Sequence, residues 1–104
     1  MIVAFSVAPS TDRPDASVHE AVAEAIAVVR ASGLPNRTSS MFTEIEGEWD
    51  EVMAVVKEAT MVCAKYGSRV SLVLKADIRP GHDGELDGKV DRVEKYLADR
   101  GTGV

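Results

Sequence analysis

A chain of 104 residues with 45% hydrophobic side chains has the material for one modest core, so a single domain over residues 1–104 is expected. Its formal net charge of -5 argues against a phosphate-tracking nucleic-acid binder, which needs a clustered basic surface, while tolerating a small cationic ligand. The single Cys63 makes no intrachain disulfide. No signal peptide or membrane-length apolar run is visible, so a cytoplasmic protein with no membrane partner is expected.

Residues 2–8 are apolar and β-favouring, with Val3, Phe5 and Val7 on one face and Ile2, Ala4, Ser6 and Ala8 on the other, which predicts a buried central strand ended by Pro9. After a punctuated loop, Ser17-Val18-His19-Glu20 has the form of a capping box. It opens a helix in which Val18, Ala21, Val22, Ala25, Ile26 and Val29 recur at helical spacing, and Gly33 supplies a left-handed stop. Residues 37–41 predict a polar edge strand, joined by a tight hairpin to a strand over 43–46.

The sharpest change of pattern in the chain follows, as strand alternation gives way at Gly47 to a helical stripe. A second helix is expected from about Glu48 to Tyr66, with Trp49, Val52, Met53, Val56, Ala59, Cys63 and Tyr66 inward and Gly67 as its stop. Residues 69–77 alternate again, placing Val70, Leu72, Leu74 and Ala76 opposite Ser71, Val73, Lys75 and Asp77. Leu86, Val90, Val93 and Leu97 then mark a third amphipathic helix ending near Gly101.

The order β-α-β-β-α-β-α fits an α+β fold, a split βαβ arrangement with an antiparallel sheet and two helices on one face. The opposite face, with Ala4, Ser6, Ser71, Val73 and Lys75, is too small and apolar for simple solvation. Another subunit, the third helix or a ligand should cover it.

No phosphate loop, dinucleotide turn, paired-cysteine motif or zinc-helix motif occurs, so the residues give no positive signal for catalysis, a metal or a cofactor. His19 and His82 lack metal-ligand spacing and read as surface residues, and Cys63 reads as a small buried hydrophobe. Among the acids around Gly47, Glu48, Asp50 and Glu51 suit a helix start, whereas Glu44 and Glu46 alternate along a strand and could face a cationic ligand. Trp49 reads as a core anchor. Lys75 and Asp77 share a strand face, where an inter-subunit salt bridge and a ligand contact are equally open readings.

Taken together, the opening strand Val3-Ala4-Phe5-Ser6-Val7-Ala8-Pro9, Ser32-Gly33-Leu34, Met41 with Thr43, Glu46-Gly47-Glu48-Trp49-Asp50-Glu51-Val52-Met53, and Arg69-Val70-Ser71 through Lys75, Asp77 and Arg79 resemble the small thiamine-binding protein family. The resemblance spans nearly the whole chain. It implies a ferredoxin-like βαββαβ sandwich with an additional C-terminal helix, homodimers or homotetramers formed through open sheet faces, and non-enzymatic binding of thiamine or its hydroxymethylpyrimidine portion. Where many relatives carry Thr-Pro-Met-Gly-Thr, this chain has Ser39-Ser40-Met41-Phe42-Thr43, with Phe42 in place of a glycine and Ser40 in place of a proline, so the family's turn geometry and pocket shape do not carry over directly. The expected ligand-binding residues are Ser6, Ser39, Met41, Thr43, Glu44 and Asp77. Hydroxyls and acids would orient the ligand and Met41 would supply an adaptable wall. The alternative is a ligand-free regulatory or assembly module that uses the open face only to oligomerise.

Overall fold

A computed structural model of the chain describes residues 1–10, 12 and 18–101. Its elements are β1 (Ile2–Pro9), α1 (Val18–Ala31), β2 (Asn36–Thr38), β3 (Thr43–Glu46), α2 (Trp49–Cys63), β4 (Val70–Asp77) and α3 (Glu85–Asp99). The four strands form one sheet in the order β2-β3-β1-β4. Every pairing is antiparallel, so the fold is the ferredoxin-like sandwich.

The core follows from strand alternation. Val3, Phe5, Val7 and Ile45 point to the side on which α1 and α2 lie, and they are buried there with Ala21, Ala25, Val29, Val52, Val56, Ala59 and Cys63. Small alanines at four-residue spacing let α1 approach the sheet closely. Burial pushes the Cys63 thiol pKa upward, with a smaller contribution from the Glu24 charge, and the sulfur lies 3.7 Å from the Ala21 carbonyl. It packs as the small hydrophobe its position in the stripe predicts.

Several local expectations change. The expected capping box begins at Ser17, which lies outside the described residues, but α1 does stop at a left-handed Gly33 (φ 76°). Trp49 is 54% exposed rather than a core anchor, because α2 begins at that residue and buries its face only from Val52 onward. Gly67 is not the stop of α2, which ends at Cys63. Instead, Gly67 is a point of close approach, since a Cβ there would stand 2.4 Å from the Ser10 carbonyl oxygen.

The expected strand over residues 37–41 shrinks to Asn36–Thr38. Ser39 explains its end: its hydroxyl donates to the Phe42 carbonyl at 2.9 Å and accepts the Phe42 N–H at 3.3 Å. The Ser39 N–H also donates to that carbonyl, at 2.9 Å. These local bonds replace ladder bonds and turn the chain before Met41, which is left exposed in the loop.

The face opposite α1 and α2 is covered only in part. Glu46, which by strand alternation could face a cationic ligand, is 7% exposed. Its carboxylate accepts the N–H groups of Glu85 at 2.8 Å and Leu86 at 3.3 Å and so caps α3. Beyond its first turn α3 leaves the body, with Val90, Val93 and Tyr96 exposed. The molecule is correspondingly elongated, 54 × 31 × 20 Å. Val73, on the uncovered part of the sheet, is 56% exposed.

Candidate functional site

An asymmetry in the pairing of β1 creates a cavity. The strand is matched along its whole length by β4, from Ile2↔Asp77 to Pro9↔Val70. On its other side β3 accompanies it only from Ile2↔Glu46 to Phe5↔Thr43. From Ser6 onward, that edge of β1 has no strand partner, because the chain before Thr43 is the Ser39–Phe42 turn rather than a strand. Between the free edge, the turn and α1 lies a cavity of about 180 Å³. Ser6, Ser39, Met41 and Thr43 line it, together with Phe5, Phe42, Val22 and Ile26.

Two hydroxyls there are available. Those of Ser40 and Thr43 have no protein partner among the described residues, whereas Ser39 uses its hydroxyl to form the turn. Ser6 pairs with the exposed Val73 and turns its side chain to the face away from α1, so it lines the cavity with its strand edge. Ser39 therefore shapes the cavity, while Ser40 and Thr43 can donate to or accept from a bound molecule. Phe42, Val22 and Ile26 supply apolar walls suited to a flat ring. Val22 and Ile26 belong to the helical stripe of α1, and nothing in that periodicity distinguishes a cavity wall from a core position.

Glu44 and Asp77 are not brought to this cavity. They line a second one of about 280 Å³ on the opposite sheet face, with Ile2, Ala4, Lys75, Leu86, Lys89 and Val90. Six residues expected at one site thus fall into a group of four and a group of two. The strand pleat is the reason: Glu44 follows Thr43 directly and points to the other face. Asp77 is held by Lys89, whose ammonium donates at 2.5 Å. That hydrogen bond, with the Lys89, Lys75 and Arg79 charges, keeps the Asp77 carboxyl below its ordinary range. The Lys75 and Asp77 alternatives are thereby joined by a third arrangement, an ion pair with α3 of the same chain.

Glu85, at the start of α3, has its pKa lowered chiefly by a hydrogen bond from Arg92, at 2.6 Å. Among the described residues, no group of three or more His, Cys, Asp or Glu side chains could hold a metal ion. Among them too, no helix is long and apolar enough to cross a membrane.

Comparison with known proteins agrees with this architecture. Residues 3–94 match the family model for thiamine-binding protein. A UPF0045 protein of Mycobacterium bovis is 52% identical over 98 residues, covering 93% of this chain and 94% of its own. A Bacillus cereus structure described as a domain of unknown function, DUF77, superposes with a TM-score of 0.77 at 33% identity, covering 91% of this chain and 88% of its own. A Thermotoga maritima structure, assigned provisionally to thiamine biosynthesis or salvage, gives a TM-score of 0.69 at 28% identity over 91% of this chain and 96% of its own.

Proposed function

This chain belongs to the thiamine-binding protein family, and from that membership we propose that it binds thiamine or its hydroxymethylpyrimidine portion, without catalysis, as a homo-oligomer. The observation that carries the reading furthest is the cavity at the end of β1, where the Ser40 and Thr43 hydroxyls are unengaged beside apolar walls. A pyrimidine ring needs that combination: flat apolar contact on its faces and a few hydrogen-bonding groups at its edge. The volume of about 180 Å³ suits a ring rather than a whole drug-sized molecule, for which pockets run from roughly 300 Å³ upward. The thiazolium portion would therefore extend out of the cavity, past Met41.

Oligomerisation completes the picture. Val73, Val90, Val93 and Tyr96 present apolar surface on the side away from α1 and α2. A second copy packed there would remove it from water, with the hydrophobic gain that such burial gives. The same surface favours the second reading, an assembly module with no ligand.

Calorimetric titration separates the two. Heat of binding is expected with both thiamine and hydroxymethylpyrimidine, and Thr43→Val should weaken each by about three- to tenfold, the loss of one hydrogen bond. Absence of heat and of thermal shift with either compound at millimolar concentration would leave only the assembly reading. Sedimentation of the same samples should give more than one copy per particle.

A further inference from the structure

At the junction of β4 and α3 lies another cavity, of about 210 Å³, lined by Asp77, Arg79, His82, Glu85, Lys89 and Arg92. We propose that it binds a tetrahedral oxyanion: a phosphate or sulfate free in solution, or the phosphoryl group of a larger molecule. This does not depend on the pyrimidine reading, which concerns a different cavity.

Charge is the first reason. Three permanent cations, Arg79, Lys89 and Arg92, face two carboxylates, Asp77 and Glu85, in a chain whose net charge is -5. Such a local excess against the overall balance focuses an attractive field for an anion. Hydrogen-bond accounting is the second. Lys89 donates to Asp77 at 2.5 Å and Arg92 to Glu85 at 2.6 Å. Arg79 and His82 approach Glu85 only to 4.0 Å and 3.8 Å, beyond hydrogen-bonding distance. The Arg79 guanidinium therefore keeps its planar fork of donors, the geometry that matches two oxygens of a phosphate.

Third, one largely buried carboxylate draws the cations together. The Glu85 side chain is only 12% exposed and gathers Arg79, His82 and Arg92 around it, while its own N–H is clamped by Glu46. Because Glu46 occupies the Glu85 and Leu86 amides, the start of α3 is not the anion receptor; the side chains are. The cavity adjoins the one containing Ala4, Leu86 and Val90, with which it shares Asp77, Glu85 and Lys89. An organic group attached to a phosphoryl would find an apolar lip there.

The test is titration of the full chain with inorganic phosphate and with phenyl phosphate at fixed ionic strength, followed by amide NMR. Saturable shifts are expected at Arg79, His82 and Lys89. Arg79→Gln should weaken binding at least fivefold, whereas Arg30→Gln, an equal charge change on α1, should leave it unchanged. Asp77→Asn, which removes a facing carboxylate and frees Lys89, should tighten binding at least twofold, and Asp91→Asn should not. Tighter binding of phenyl phosphate would identify a phosphate ester as the ligand class; equal binding would identify the free ion. Non-saturable shifts, or equal weakening by the two arginine substitutions, would overturn the proposal.

Discussion

Glu46 shows how one side chain can serve a purpose that its strand position does not announce. Its alternation with Ile45 places it on the face away from the core, yet α3 covers it and takes both carboxylate oxygens. Removing them leaves two amides at the start of α3 without an acceptor. Glu46→Ala should therefore cost about 1–3 kcal/mol. Urea denaturation gives the magnitude, and faster hydrogen exchange confined first to α3 identifies the cause. Asp12 makes a comparable local clamp at the surface. It accepts the Ser10 hydroxyl at 2.7 Å and the Ser68 N–H at 3.2 Å, together with the Ser68 hydroxyl. These bonds, the Ser68 hydroxyl foremost, hold its pKa well below the usual carboxylate range. A folded value below the unfolded one means that Asp12 stabilises the fold above about pH 4, the ordinary Asp pKa, and that this contribution disappears as pH falls through the folded value. Asp12→Asn should lower the thermal midpoint at neutral pH and flatten its decline in acid.

At the scale of elements, two junctions govern the architecture. The crossing of β1 and β4 beyond their last pair is closed by Ser10 N–H donating to the Arg69 carbonyl at 2.8 Å, with Gly67 packed against Ser10. A methyl group at Gly67 has no room against backbone, so Gly67→Ala should destabilise by about 1–3 kcal/mol, measurable by urea denaturation. The other junction is the Ser39–Phe42 turn, which cuts β2 and β3 short and opens the edge of β1. Much of this was legible in the sequence. Period-two alternation in residues 2–8 and 70–77 and the four-residue spacing in both core helices express burial directly, so the sheet and its helical layer followed from pattern alone. What stayed hidden depended on tertiary competition. Ser39 diverted its hydroxyl into a turn, Trp49 fell on the first residue of α2 before its buried face began, and α3 reached back to Glu46 across 39 residues. Of the expected site, Ser6, Ser39, Met41 and Thr43 line one cavity, Ser6 by its backbone, and the pleat sends Glu44, Asp77 and the Ser6 side chain to the other face.

For the molecule as a whole, the sheet separates two environments. One side holds the core and, at its margin, the small cavity beside the unpaired edge of β1; the other holds α3, the ion-paired crevice and exposed apolar surface. A pyrimidine at the first margin would meet the two unengaged hydroxyls and the apolar walls of a lining that, among the described residues, holds no acid. The most direct measurement is amide NMR of the full chain during titration with hydroxymethylpyrimidine. Saturable shifts clustered at Ser6, Val7, Met41, Phe42 and Thr43, and weakened by Thr43→Val, are the predicted result. Shifts confined to Glu44, Lys75 and Asp77, or none at saturating ligand, would contradict it.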